Sequence, residues 1–258
     1  MAVGHETSSG PPPDRLTAPT APTVLTALTV PTIPTAPDMF LAHFALALAA
    51  RPAAPRASLG VLFAAAQFPD LLWPFLLLAG VEQVAVAPGD TAFTPLRFVS
   101  YPISHSLLTV VMWALLWSVA YYVTRGDRRG ACAVLLLVAS HWFLDALTHR
   151  PDLPLSPWGE VRVGAGLWNS VQVTLVLELV TFAVAVLLYL RATVPADRTG
   201  RFATWALFAA LALIEFGTLL GPPPPSAEAV AWVALSLWLV VLWAWWADRH
   251  RAPAAGIA

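Results

Sequence analysis

Long apolar runs separated by short polar segments dominate the pattern of this chain. A membrane-spanning helix needs about 20 consecutive apolar residues. Six runs reach or nearly reach that length: residues 58–80, 103–124, 130–149, 167–190, 203–221 and 229–247. A seventh run, residues 39–50, is about half a span and predicts a half-helix or an interfacial helix. The pattern therefore predicts an all-α, polytopic transmembrane helix bundle with six full spans plus one short N-terminal helix.

The two ends of the chain differ from this apolar centre. Residues 11–37 are rich in proline, threonine and alanine. Because proline lacks a backbone donor and interrupts helices, this composition predicts an extended or disordered segment. We therefore predict a disordered tail over residues 1–38, a transmembrane helical domain over residues 39–251, and a flexible tail over residues 252–258.

Composition excludes several classes of protein. The 258 residues are 58% hydrophobic and 11% charged, and the mean hydropathy is +0.70, whereas a soluble domain carries about 25% charged residues. So few charges would leave too little polar surface for a water-exposed globule. The net charge of -1 provides no field that would attract nucleic acid. A single cysteine, Cys132, cannot form a disulfide within the chain.

The arginines orient the predicted bundle. All 14 basic residues are arginines, and most lie between the spans on one side. That side carries Arg51, Arg56, Arg125, Arg128, Arg129, Arg191, Arg198, Arg201, Arg249 and Arg251, and the opposite side carries Arg97, Arg150 and Arg162. Because cytoplasmic loops are enriched in basic residues, the first group and the C-terminus are predicted to be cytoplasmic.

A small set of ionisable residues lies within or beside the apolar runs. These residues are His43, Asp70, His105, His141, Asp145, His149, Glu178 and Glu215. A charge at the centre of a bilayer costs about 2.5–3.5 kcal/mol, so four unpaired carboxylates would cost on the order of 10 kcal/mol. The arginines that could pair with them lie in the loops. Either protonation or a bound divalent metal must therefore compensate for these acids.

Spacing favours a metal. His141, Asp145 and His149 are four residues apart on one predicted helix, and such residues share a face. Imidazole and carboxylate ligands together suit zinc or a similar first-row ion. Counting 1.5 Å per residue from the predicted helix ends places Asp70 and His105, with most of the other ionisable residues, in the outer half of the bilayer or near its midplane.

At these residues the sequence resembles the membrane-bound metal-dependent hydrolases of bacterial inner membranes. The matching pieces are His43, the segment Phe68-Pro69-Asp70, the segment Ser104-His105-Ser106, and residues 140–152 from Ser140-His141 through Asp145 and His149 to Asp152. The resemblance covers about residues 39–190. It implies a multi-pass protein of the inner membrane with a divalent metal, and zinc is the expected ion.

A more distant resemblance, to zinc-dependent phospholipase C, implies roles for single residues. The order of ligands in that enzyme is His, Asp, His and then His-x-x-x-Asp, and the same order occurs here. The resemblance implies the metal ligands His43, Asp70, His105, His141, Asp145 and His149, with Asp70 and Asp145 also catalytic. Residues predicted to support them or to contact the substrate are Glu178, Trp168, Asn169 and Asp152.

Three functions remain open at this stage. The first is a hydrolase in which a metal-activated water attacks a phosphoester or lipid-linked substrate that enters from the bilayer. The second is a proton- or ion-coupled transporter that uses intramembrane Asp, Glu and His residues beside a proline-broken helix. The third is a non-catalytic membrane protein in which a metal only joins helices. The lipid bilayer is the predicted partner in every case.

Overall fold

The structure is a computed structural model that describes residues 1–4 and 40–255, with only the backbone of Phe40. The chain divides into two units, Met1–Pro31 and Thr32–Ala258, and everything below belongs to the second. Most of the predicted tail over residues 1–38 lies outside the described residues. The helices of the described part are α1 Phe40–Ala50, α2 Leu59–Ala66, α3 Phe68–Leu78, α4 Pro102–His105, α5 Leu107–Arg125, α6 Arg128–Thr148, α7 Val171–Ala192, α8 Arg198–Leu220, α9 Ala227–Leu235 and α10 Leu237–Arg249.

Three short antiparallel strand pairs connect the ends of these helices. They are β1 Gln83–Val86 with β2 Leu96–Ser100, β3 Leu153–Pro154 with β4 Arg162–Val163, and β5 Thr193–Pro195 with β6 Arg251–Pro253. A 3-10 turn at Leu167–Asn169 precedes α7. Ala252, which the prediction placed in a flexible tail, instead pairs with Val194 in the third strand pair.

The predicted all-α bundle is confirmed. Four single helices, α5 to α8, are long and apolar enough to cross a membrane, and α9 and α10 together form a fifth span, Ala227–Arg249. The pair α2 and α3, which bends by 58° at its break, forms either a broken sixth span or a re-entrant loop. Several span bounds differ from the prediction, and α8 begins five residues earlier than predicted, at Arg198. The chain is extended at Ser106, which separates α4 from α5, and α7 begins only at Val171, after the 3-10 turn.

The outward faces of the long helices are apolar. Val123 of α5 is 76% exposed, Val176 of α7 is 62% exposed and Leu213 of α8 is 71% exposed. Water-soluble proteins rarely expose so continuous an apolar surface. Such apolar faces are suited to contact with the hydrocarbon of a lipid bilayer, so the chain is a membrane protein.

The short helix α1 lies inside the bundle. Residues Leu41–Ala45 are each no more than 1% exposed, and the helix packs against α7, α2 and α6. The first backbone N–H groups of a helix have no partner within it, and here the Leu41 N–H donates to Glu178 Oε2 at 2.8 Å. Of the two forms predicted for this segment, the half-helix that penetrates the bundle is the one observed.

The break between α2 and α3 supplies a free carbonyl to the interior. Proline at position 69 has no N–H to continue the helix, and the chain reorients at Gln67. Because the last carbonyls of a helix have no partner within it, the oxygen of Ala66 is available. It accepts a hydrogen bond from His141 Nδ1 at 2.8 Å.

One buried carboxylate joins four helices at the arginine-rich end of the bundle. Asp248 of α10 accepts hydrogen bonds from the Leu59 N–H and the Tyr189 hydroxyl, each at 3.0 Å. It also lies 3.5 Å from Nε of Arg51, a buried side chain just after α1. These contacts hold the first turn of α2 and the ends of α1, α7 and α10 together.

Replacing Asp248 with alanine is expected to destabilise the whole bundle. The change leaves the Arg51 guanidinium buried without its carboxylate, which typically costs about 3 kcal/mol or more. We expect a clearly lower unfolding temperature in detergent, measured by a thermal shift assay. The control is Glu160→Ala, at an exposed loop residue, and equal unfolding temperatures for the two variants would contradict this role of Asp248.

Candidate metal centre

Five of the six predicted ligands meet in one place. α1 brings His43, α3 brings Asp70 in its first turn, α4 ends at His105, and α6 presents His141 and Asp145 one turn apart. All five are buried, and Asp70, at 8% exposed, is the most accessible of them. Residues that are up to about 100 positions apart in the sequence therefore converge on one interior volume.

The ligand atoms form two overlapping groups of three. In one group, His43, His141 and Asp145 place their atoms within 4.8 Å of one another, and in the other Asp70, His105 and His141 do the same. Asp145 lies 3.2 Å from His43 Nε2 and 3.3 Å from His141 Nε2. Asp70 Oδ1 lies 3.2 Å from His105 Nε2 and 3.6 Å from His141 Nε2. His141 belongs to both groups and is the centre of the arrangement.

These separations match two ligands of one metal ion. Ligand bonds to zinc are about 2.0–2.2 Å long, so two ligands in tetrahedral geometry are about 3.3–3.5 Å apart. The distances from Asp145 to His43 and to His141 fall close to that value. Each of these two pairs of atoms is therefore spaced as two ligands of one ion would be.

Several of the converging atoms lack well-directed hydrogen bonds. Within the described part of the chain, His43 Nε2, His141 Nε2 and Asp145 Oδ2 are buried and make no well-directed hydrogen bond, although each histidine nitrogen lies within 3.3 Å of an Asp145 oxygen. An unsatisfied buried polar atom costs about 1–3 kcal/mol. Since all three of these atoms face one another, a bound cation would satisfy them together. The residues present therefore fit a divalent metal.

The charges of the converging side chains also favour a bound cation. The rings of His43 and His141 stack with their centroids 3.9 Å apart and their planes 14° apart. Two imidazolium cations in that arrangement would repel, so at least one of the two rings is neutral and has a free lone pair. With neutral histidines, Asp70 and Asp145 give the site a charge of about -2, which one divalent cation neutralises.

Outer hydrogen bonds orient two of the three histidines, His141 and His105. His141 donates from Nδ1 to the free Ala66 carbonyl, which leaves its Nε2 lone pair directed at the site. His105 Nδ1 lies 2.6 Å from the Ser104 hydroxyl, and that hydroxyl donates to Glu82 Oε2 at 2.6 Å. A metal-binding histidine usually has such a partner on its second nitrogen, which fixes the tautomer and the ring orientation.

Glu82 is a functional residue that the sequence analysis missed. It is 2% exposed and lies four residues beyond the end of α3. Besides the Ser104 hydroxyl, it accepts hydrogen bonds from the backbone N–H groups of Ile103 and Ser104, at 2.7 and 2.9 Å. The carboxylate therefore fixes the start of α4, and with it His105. Its one sequence signal is that it is the sole acid between Asp70 and Asp90.

His149 is the predicted ligand that the structure does not bring into either group. The prediction assumed that α6 continues through residue 149, but α6 ends at Thr148 and His149 has an extended backbone with ψ of 145°. Its side chain therefore leaves the face shared by His141 and Asp145. His149 Nδ1 instead contacts Asp152 Oδ1 at 3.0 Å.

A polar and aromatic cluster surrounds His149, next to the converging ligands. Asp152 accepts hydrogen bonds from the Tyr101 hydroxyl at 3.0 Å and from Arg150 Nε at 2.9 Å. Burial opposes its ionisation, but the hydrogen bonds from His149, Arg150 and Tyr101 outweigh burial and lower the pKa of Asp152. Trp168 packs on His149 with ring centroids 4.2 Å apart. Asp152 and Trp168 thus support His149 rather than a group of converging ligands.

The remaining predicted residues lie apart from the two groups. Glu178 of α7 caps the first turn of α1 through the Leu41 N–H. Asn169 is exposed in the turn before α7. Glu215 is fully buried in α8. These three side chains therefore have no direct place among the converging ligand atoms.

Comparisons with protein-family models, with curated proteins and with solved structures found no match to this chain.

Replacing Glu82 with alanine is expected to weaken metal binding without removing any ligand. Loss of the Glu82–Ser104–His105 chain frees the His105 ring, and losing such an outer partner typically costs about 10–100-fold in metal affinity. Affinity is measured by competition with a chromogenic zinc chelator. The control Glu228→Ala changes an exposed acid at the start of α9. An affinity equal to that of the unmodified protein would show that Glu82 does not position His105.

Proposed function

We propose that this protein is a membrane-embedded, metal-dependent hydrolase acting on a phosphoester or a lipid-linked substrate. One observation carries the proposal, namely that buried imidazole and carboxylate atoms without well-directed hydrogen bonds converge on one point at zinc-like spacing. The resemblance to the membrane-bound metal-dependent hydrolases adds support from the same residues.

The five converging residues would have different roles. His43, His141 and Asp145 would hold the ion, together with His105, whose ring is aimed by Ser104 and Glu82. A divalent metal there would lower the pKa of a bound water to about 7 and polarise the bond that is attacked. Asp70 is the most accessible of the five and lies against two histidines, so it is placed either to ligate or to accept a proton from the water.

The overlap of the two groups bears on the number of ions. His141 Nε2 has one lone pair and can ligate one ion. A single ion would take His141 with ligands from both groups. If two ions were bound, only one of them could be ligated by His141. The other would have only Asp70 and His105, or only His43 and Asp145, and would need further ligands such as water or substrate. We propose one tightly bound ion, with a second added only together with substrate.

The position of the centre suggests how a substrate arrives. Under the arginine-based orientation, the centre lies in the outer half of the bilayer, below the loops that carry β1 to β4. A substrate with lipid chains could remain in the bilayer while its phosphate reaches the metal from the side. We therefore favour a phospholipid-like or lipid-linked phosphoester over a soluble one, in the inner membrane.

Purified protein is expected to carry at least one divalent ion per chain after a metal-replete preparation. His141→Ala should abolish stoichiometric metal, because His141 serves both groups, and Asp145→Ala should reduce it strongly. The measurement is elemental analysis by inductively coupled plasma mass spectrometry. The control is His250→Ala, at a residue that pairs with Asp197 beyond the end of α10. Unmodified protein without stoichiometric metal would end the metal proposal.

Hydrolysis is tested separately on the metal-loaded protein. A panel of phosphodiester, phospholipid and lipid-linked pyrophosphate substrates in mixed micelles should include at least one that is cleaved, with activity lost on chelation and in Asp70→Asn. Metal binding without any cleavage would favour a metal that only joins helices. Proton-coupled uptake into proteoliposomes that is lost in Glu178→Gln, without a metal requirement, would favour a transporter.

The C-terminus is expected to be cytoplasmic. A fluorescent protein fused after Ala258 should fluoresce, and alkaline phosphatase fused at the same place should stay inactive, because this phosphatase folds only in the periplasm. Phosphatase fused within the loop near Trp158, which is 86% exposed, should be active. The reverse pattern would invert the bundle and place the metal centre in the inner half of the membrane.

A further inference from the structure

A second polar site lies at the arginine-rich end of the bundle. A cavity of about 590 Å³ opens where the turn between α5 and α6, the segment after α1, and β6 meet. Its lining consists of Pro55, Arg56, Gly126, Asp127, Arg128, Arg129 and Pro253. Arg128 and His141 are 13 residues apart on α6, so the cavity is about 20 Å from the metal centre along the helix axis.

The three lining arginines have no carboxylate partner. Among the residues that the structure describes, Arg56, Arg128 and Arg129 make no ion pair, and their side chains make no hydrogen bond. All three are exposed. The guanidinium groups are therefore available to a ligand at the cavity.

The one acid in the lining is already engaged. Asp127 is 7% exposed and caps α6, because its Oδ1 accepts a hydrogen bond from the Arg129 N–H at 3.2 Å. Its Oδ2 accepts a hydrogen bond from the Tyr121 hydroxyl at 3.4 Å. Three cations and one carboxylate leave the cavity with an excess of about two positive charges. The N-terminus of the 21-residue helix α6 adds a further positive dipole end.

We propose that this cavity binds the phosphate group of an anionic ligand, most naturally the headgroup of an anionic phospholipid. Arginine presents a planar fork of donors that matches phosphate oxygens. Basic pockets between transmembrane helices on the cytoplasmic side are places where anionic lipid headgroups bind. The proposal does not rest on hydrolysis or on the metal.

Size and surroundings favour a lipid over a bare phosphate ion. A volume of 590 Å³ falls within the range of about 300–1,000 Å³ that is usual for small-molecule sites. It corresponds to about 20 water molecules, so a phosphate with its glycerol fits more closely than phosphate alone. The last turns of α5 beside the cavity expose Val119 and Val123, at 59% and 76%. Acyl chains of a bound lipid would lie against these valines.

The test titrates full-length protein in neutral detergent with phosphatidylglycerol or phosphatidylcholine and counts bound lipids by native mass spectrometry. We expect phosphatidylglycerol to bind in preference to phosphatidylcholine. In the triple variant Arg56→Gln, Arg128→Gln, Arg129→Gln its binding should weaken by about 100-fold, since each of the three cations near an anionic headgroup contributes about five-fold. The matched control replaces Arg191, Arg198 and Arg201 with glutamine, three exposed arginines outside this cavity.

Inorganic phosphate, titrated alone and as a competitor, separates the two sources of the ligand. If lipid stays bound in excess phosphate, the cavity is a site for a lipid headgroup. Phosphate binding with the same arginine dependence and without lipid preference assigns a site for a soluble phosphate compound. Equal binding of the neutral and anionic lipids together with no phosphate binding would overturn the proposal. Binding that is equal in the triple variant and in the control would overturn it as well. Single variants such as Arg128→Gln, at an exposed position, give the same answer if the triple variant does not fold.

Discussion

Two carboxylates and three imidazoles share one small volume inside a bundle whose outer faces are apolar. In that setting the charge of Asp70 and Asp145 must be neutralised locally, because in the described part of the chain no arginine pairs with either. The rest of the core is arranged around this constraint. α1 lies inside the bundle, where His43 reaches the group, and α2 breaks where the Ala66 carbonyl accepts a hydrogen bond from His141.

The two ends of the bundle have different chemistry. At one end, loops with short strand pairs and the Asp152 cluster lie near the candidate metal centre. At the other end, Asp248 joins four helices while Arg56, Arg128 and Arg129 surround a cavity without a matching acid. We propose a metal-bound substrate at the first end and an anionic lipid at the second.

Much of this arrangement was predictable from the sequence because it depends on local periodicity. The apolar runs predicted the five spans and the bent pair α2 and α3. His141 and Asp145 were predicted to share a face because they are four residues apart within α6. His149 was wrongly predicted to lie on that face, because α6 ends one residue before it, at Thr148. Tertiary packing decides the last residue of a helix, and the sequence pattern alone did not show it. Glu82 was missed because its partners, Ile103 and Ser104, are about 20 residues away in sequence and nothing local marks the pairing. The depth of α1 depended on packing against α7, which no short pattern encodes.

The most direct test of a metal held by histidines and carboxylates at this centre is X-ray absorption spectroscopy of the purified protein at the zinc edge. The expected spectrum shows nitrogen and oxygen neighbours at about 2.0–2.2 Å together with the outer-shell scattering of at least two imidazole rings. The imidazole scattering should fall when His141 is replaced. A spectrum without imidazole scattering, or one unchanged by that replacement, would contradict a metal bound by His43, His105, His141, Asp70 and Asp145.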